Sequence, residues 1–385
     1  MLELAIKGSK KYYGWLAVLL VVIGIGFLVY LKQLDFGLGI TNLSRDVSWG
    51  FYIANLTFLV GVAAGGVMVV LPYYLHDYKA FGRITILGEF LAIAAIVMCI
   101  LFVLVDLGQP MRVFNTLLYP SPNSVLFWDI VVLQGYLFIN LIVGWNVLEA
   151  ERNQTHYQAW LKPIIYLSIP WAVSIHTVTA FLYAGLPGRG FWMTAILAPR
   201  FLSSAFAAGP ALLILLCLFI RRVSNFDPGR EQIQSLAKIV AYAVCINVFF
   251  FLCEVFTAFY SNIPEHMDHI TYLFAGLHGK ASLVPFMWTA YGLMLIAIIL
   301  LVNPITRKNE GVLAVACVAT FTGTYIDKGL GMISGGFVPN PMHHVVEYAP
   351  SIPEILISLG VYGIGALILT LFYKMSISVK EEVGA

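Results

Sequence analysis

Residues Trp49–Leu71, WGFYIANLTFLVGVAAGGVMVVL, contain no Asp, Glu, Lys, Arg or His. A helix of about 20 residues crosses about 30 Å of hydrocarbon at 1.5 Å per residue, so this stretch reads as a membrane span. A helix satisfies its own backbone in lipid, and a barrel strand would alternate apolar and polar residues. This run does not alternate. The Gly61-Val62-Ala63-Ala64-Gly65-Gly66 stretch within it allows close helix approach, as small-residue patterns do in membranes.

Nine further apolar runs surround it. The ten spans read as Tyr13–Leu31, Trp49–Leu71, Ile84–Val105, Ser124–Leu148, Pro163–Ala184, Phe201–Ile220, Ile239–Phe259, Leu283–Val302, Val312–Ser334 and Ile355–Tyr373. The ninth is short unless it continues through Asp327 and Lys328. The first follows Lys7, Lys10 and Lys11 but is too long for a signal peptide, so a retained helix is expected. The chain reads as a single all-α, multi-pass membrane domain over residues 1–385, with room for two four-helix bundles and two extra helices.

Composition agrees. Of 385 residues 60% are hydrophobic and 11% charged, against about 45–50% and about 25% in a soluble domain. A net charge of +2 excludes a nucleic-acid module with a basic stripe. Cys99, Cys217, Cys245, Cys253 and Cys317 all lie in apolar runs with no CxxC pair, so no disulfide framework or cluster motif is expected.

Lys and Arg distribution sets the expected orientation. The N-terminus, the even-numbered connections and the C-terminus hold 15 of the 22, including Lys79, Arg83, Arg152, Arg221 and Arg307. Lys32, Arg45, Arg112, Arg189, Arg200, Lys280 and Lys328 fall in the odd-numbered connections. Both termini are therefore expected in the cytoplasm. The outer connections Ser261–Ser282 and Gly335–Glu354 carry His266, His269, His278, His343 and His344, either a polar cap for a partner or plain solvated loop.

Ionisable groups inside a membrane cost several kcal/mol and mark function by default. Asp106 closes the third span at its outer edge, where it could pair with Arg112 or leave Arg112 to orient a ligand carbonyl. Helix rise places Asp129 and Glu254 about 7 Å, and His176 about 12 Å, below the outer ends of their spans. These four groups are expected to converge in the outer third of the bilayer. Glu89 lies near the inner end of the third span. Trp49 and Trp128 stand near the acidic groups, where they could wall a pocket for a flat ring or only anchor the interface. His176 alone is deep enough to ligate haem, which disfavours a bis-histidine site; His76 and His156 belong to inner connections.

Ser48-Trp49-Gly50-Phe51-Tyr52, the glycine-rich second span, Asp106-Leu107-Gly108-Gln109-Pro110-Met111-Arg112, Phe127-Trp128-Asp129 and His176-Thr177-Val178 resemble the NrfD/polysulfide-reductase (PsrC-like) membrane subunits. The resemblance runs from about Asp46 to Gly209, and the whole chain is similar to the ten-span DsrP branch, the membrane subunits of DsrMKJOP complexes. It implies a subunit of the inner (cytoplasmic) membrane that binds quinone, menaquinone in a sulfate-respiration setting, without haem or iron–sulfur cluster of its own. The implied partners are a periplasmic ferredoxin-like iron–sulfur subunit (DsrO-like), a multihaem cytochrome c (DsrJ-like) and the DsrM and DsrK subunits. The implied pocket lies among spans two to five. His176 and Asp129 lead it, Trp49, Asp106, Arg112, Trp128 and Thr177 match motif positions around it, and Glu89 would be a proton entry group.

With the quinone that the resemblance implies, His176 is expected to contact one quinone oxygen while Asp129 relays its proton, with Asp106 and Glu254 leading outward. Histidine suits this near neutral pH. The rival readings are a secondary transporter, whose helices would break near the bilayer centre, and a b-haem membrane anchor.

Overall fold

The computed structural model describes residues 1–75 and 81–383, excepting the side chains of Leu2 and Leu75; His76 and Lys79, assigned above to an inner connection, lie outside the described residues. The described residues form helices and no named β-strand. Among them nine helices are long and apolar enough to cross a membrane. In chain order the spans are α1 (Lys10–Phe36), α2 (Phe51–Gly65, resumed as Val67–Leu75), α3 (Gly82–Asp106), α4 (Val125–Arg152), α5 (Leu161–Ala184), α6 (Leu197–Val223), α7 (Arg230–Tyr260) and α8 (Val284–Val302). The last two are α9, which runs Glu310–Thr324, Tyr325–Gly331 and Met332–Phe337 without leaving the helix, and α10 (Ile352–Val383).

The tenth span is α9, and its middle explains why its sequence is the hardest of the ten to read. Tyr325–Gly331 is π-helical, a wider turn that inserts an extra residue into a helix and is common at functional positions. It carries Asp327 and Lys328 through the span, both buried. Lys328 therefore leaves the count of outer connections. So does Arg200, which lies in the first turn of α6 and is buried. Arg45, Arg112, Arg189 and Lys280 remain in the connections, and Lys32 is exposed in the last turns of α1.

Two four-helix bundles share α2 and α6 as their joint. α2 to α5 form the first bundle and α6 to α9 the second, while α1 and α10 pair with each other and α10 leans on α3. Residues Tyr52–Gly65 are all buried, because α2 touches both bundles and no lipid. Glycines make that possible. A Cβ at Gly65 would stand 2.4 Å from the Gly209 Cα of α6, and one at Gly66 would stand 2.8 Å from the Gly88 carbonyl of α3. On the other faces large apolar side chains such as Phe219, Phe249, Phe256, Trp288 and Leu295 point outward, as a lipid-facing surface requires.

The two long connections are built structures. Pro264–Phe274 is a helix, and His269 within it is buried with Nδ1 donating to the carbonyls of Gly335 (2.6 Å) and Val338 (2.9 Å). Beyond α9 the chain lies over the start of α2. The Tyr348 hydroxyl accepts from Phe51 N at 2.9 Å and donates to Glu354, whose other oxygen accepts from the backbone of Asn42 and Ser351. Of the five histidines in these connections, His269 is thus a fastening inside the fold.

Candidate functional site in the seam between the fourth and fifth helices

α5 docks on α4 through one large side chain. Trp171 donates from Nε1 to the Val132 carbonyl at 2.8 Å, and its ring occupies the space at Gly135, where a Cβ would stand 2.3 Å from it. This contact sets the register of the two antiparallel helices. Asp129, one turn from Val132 toward the start of α4, then meets Thr179, two turns beyond Trp171.

Ala172, Ile175, His176, Thr179, Ala180 and Tyr183 form the buried face of α5. His176 is 0% exposed, and neither ring nitrogen makes a well-formed hydrogen bond; the Ala172 carbonyl, one turn back, lies toward the ring but outside good bonding geometry. A neutral imidazole carries one donor and one acceptor, and leaving such a group unmade in a buried place costs about 1–3 kcal/mol.

Asp129 is 2% exposed and its Oδ1 lies 2.6 Å from the Thr179 hydroxyl, which also lies 2.7 Å from the Ile175 carbonyl. A hydroxyl has one proton to give. With Asp129 ionised, Thr179 turns that proton to the carboxylate. With Asp129 protonated, the carboxyl donates to Thr179 and Thr179 donates to Ile175. The same atoms serve both states, so the pair can gain and lose a proton without moving.

One turn further along α5, Tyr183 contacts the Thr57 hydroxyl at 2.5 Å and Trp49 at 5.6 Å between ring centroids, within an aromatic group that includes Trp192 and Phe337. Trp49 therefore walls the Tyr183 end of this seam. Trp128 and Arg112 do not. Trp128 is 47% exposed with its Nε1 on the Pro122 carbonyl, and Arg112 is exposed and forms no ion pair with Asp106. Thr177 faces away from the seam, bonding back to Val173 at 3.0 Å.

The expected convergence of four acid–base groups divides into three places. His176 and Asp129 share the seam. Asp106 ends α3 with a buried, unpartnered Oδ1, in charge range of Glu354. Glu254 belongs to the second bundle, held by Arg200, which also holds Asp327. Reading Arg200 as part of a connection hides this pairing, since the residue lies inside α6. Glu89 is 2% exposed in the first half of α3, with Oε2 unpartnered and the unpartnered Tyr74 hydroxyl in charge range. Thr179 and Tyr183 are members of the site that the sequence motifs do not single out; their spacing of three and seven residues from His176 puts them on its face.

Fold and site together define a polytopic helical membrane protein with ionisable side chains enclosed between its helices. Its sequence matches the profile "Polysulphide reductase, NrfD" over residues 39–338. The chain belongs to the NrfD family. It is 25% identical to a selenate reductase subunit of Mesobacillus selenatarsenatis (95% of this chain, 94% of that one). It is 24% identical to the Hdr-like menaquinol oxidoreductase integral membrane subunit of Archaeoglobus fulgidus (97% and 95%). Identity to the menaquinone reductase integral membrane subunit of Nitratidesulfovibrio vulgaris is 20% (95% and 91%).

Proposed function

We propose that this chain is the quinone-binding membrane subunit of a multi-subunit oxidoreductase, exchanging electrons between menaquinol and an iron–sulfur partner on its outer side. The observation that carries the reading is His176, a fully buried imidazole without a well-formed hydrogen bond, three residues from an Asp129–Thr179 pair built for either protonation state. Two relatives carry menaquinol or menaquinone in their names, which favours that substrate.

Quinol oxidation releases two protons and two electrons. The neutral ring of His176 accepts a hydrogen bond from a quinol hydroxyl and takes its proton. Asp129 is the second acceptor, and Thr179 keeps it bonded before and after. Trp49 and Tyr183 close the outer end of the seam with aromatic surface, a wall suited to a flat ring. Run backward, the same groups deliver protons to a quinone. The electrons leave to a partner that carries the cluster, which positions the membrane chain as binder and proton handler.

The finer assignment is a DsrMKJOP-like complex of dissimilatory sulfur metabolism, with DsrO-like, DsrJ-like, DsrM and DsrK partners and both termini in the cytoplasm. The Lys/Arg excess on the inner connections supports the orientation. The test is His176→Ala and Asp129→Asn in the assembled complex. Quinol-linked electron transfer should be lost with assembly intact; near-wild-type turnover in both variants removes the assignment.

A further inference from the structure

The second bundle holds a buried charge set that the quinone chemistry does not use. Arg200 of α6 donates through Nη1 to Glu254 of α7, and through Nη2 to Asp327 of α9 at 2.6 Å and to the Tyr291 hydroxyl of α8 at 3.2 Å. Tyr291 donates to Asp327 at 2.8 Å. The side chains of Arg200, Glu254 and Asp327 are 8%, 11% and 1% exposed.

Lys328, the next residue, turns elsewhere. It is 4% exposed, its Nζ donates to the Phe201 carbonyl at 3.3 Å, and it stands 4.4 Å from the centroid of the Phe201 ring. Among the described residues it forms no ion pair. Its end reaches the first bundle: a Cβ at Gly61 of α2 would stand 3.0 Å from Nζ, and Cys99 of α3 and His176 of α5 lie within range of its charge. Within the π-helical turn of α9, Asp327 thus lies among α6 and α8, while the Lys328 amine lies at the joint of the two bundles, on Phe201 of α6 and beside Gly61 of α2. A cavity of about 10 Å³ opens between them, lined by Arg200, Ser204, Asn247, Asp327 and Lys328 among others. That is room for about one water.

Charge counting restricts what this set can do. The guanidinium of Arg200 keeps its proton under all working conditions. Two carboxylates and one guanidinium leave a net negative charge, which is costly inside a membrane. One more proton restores neutrality, and it can reside on the Lys328 amine or on one of the carboxylates. Both placements are neutral overall.

We propose that Lys328 is a proton-exchanging residue that joins the His176 seam to the Arg200–Asp327–Glu254 set, passing one proton to Asp327 through a water in the cavity they share. In the step an N–H bond of the ammonium breaks, the water takes that proton and releases another to a carboxylate oxygen of Asp327, and a neutral amine and a neutral carboxyl remain. No electron moves. The amine regains a proton from the first bundle. Arg200 meanwhile keeps its ion pair with Glu254, so this transfer leaves the set neutral; the proton regained by the amine then charges the set by one until Asp327 releases its own.

The test uses the assembled complex with Lys328→Met and Lys328→Arg, read by infrared difference spectroscopy and by turnover. In Lys328→Met the proton has no amine to occupy, so one protonated-carboxyl carbonyl band appears relative to wild type, and adding Asp327→Asn or Glu254→Gln removes it. Lys328→Arg keeps the charge but cannot release a proton; it shows no new band, and turnover falls on the order of 100-fold. Wild-type turnover in Lys328→Arg, or no new band in Lys328→Met, overturns the proposal. The turnover arm rests on the quinone reading. The infrared arm does not, so the two can fail separately.

Discussion

Replacing Arg200 by Met tests the buried charge set without reference to any activity. Arg200 holds two carboxylates at once, Glu254 and Asp327, with the Tyr291 hydroxyl on the same guanidinium. Removing it leaves both acids in a helix interior with only Lys328 to balance them. Breaking a buried pair by deleting one partner costs about 3–5 kcal/mol, which is roughly two to three and a half orders of magnitude in the folding equilibrium. Deleting one acid as well restores the charge count, so Arg200→Met with Glu254→Gln should recover at least about half of the loss. Thermal unfolding in lipid nanodiscs can be followed with a thiol-reactive dye, because Cys99, Cys217 and Cys317 are buried and react on opening. A single variant as stable as wild type, or a double variant no better than the single, would refute the reasoning.

Other perturbations separate packing from chemistry. Thr179→Val removes the hydroxyl that follows Asp129 through both protonation states and should lower quinol-linked turnover about 10–100-fold, the worth of a hydrogen bond to a charged group; Thr177→Val, which breaks only a bond within its own helix, should leave turnover within a factor of about two. Gly209→Val forces apart α2 and α6, where a Cβ would stand 2.5 Å from the Gly65 Cα, and should cost about 1–3 kcal/mol of stability in the same dye assay. Burial holds the His269 imidazole below the usual histidine range, against the opposing pull of its bonds to Val338 and Gly335. The unfolded connection therefore binds more protons than the folded one at mildly acid pH, so this fastening contributes stability above about pH 6.5 and loses it as pH falls toward the folded value. The protection factor of residues 338–351, with the intrinsic pH dependence of exchange divided out, should fall on acidification in wild type and not in His269→Gln; equal protection at both pH values counts against the assignment.

Most of the fold is legible in the chain, for a physical reason. Lipid offers the backbone no partners, so uncharged runs of span length have one stable form, and all ten spans appear with edges within about five residues, except that α7 starts nine residues earlier and α10 ends ten residues later than read. The ninth run is harder because Asp327 and Lys328 break its apolar pattern, and a π turn that buries two opposite charges toward different neighbours leaves no periodic trace. His176 and Asp129 stand out because charge in a span is rare. Which acids share a place does not, because that depends on packing. Glu254 and Arg200 are 54 residues apart and meet only because α6 and α7 pack side by side. Thr179 is easily overlooked since a threonine in a helix ordinarily bonds back to its own turn, as Thr177 does.

The central claim is that the seam between α4 and α5 is where a quinone ring exchanges its protons. A density map of the assembled complex with menaquinone bound tests it most directly. The account predicts the ring between Trp49 and His176, with one ring oxygen within hydrogen-bond distance of a His176 nitrogen and Asp129 alongside. A ring resolved elsewhere, with the His176–Asp129 seam unoccupied in the same map, would contradict it.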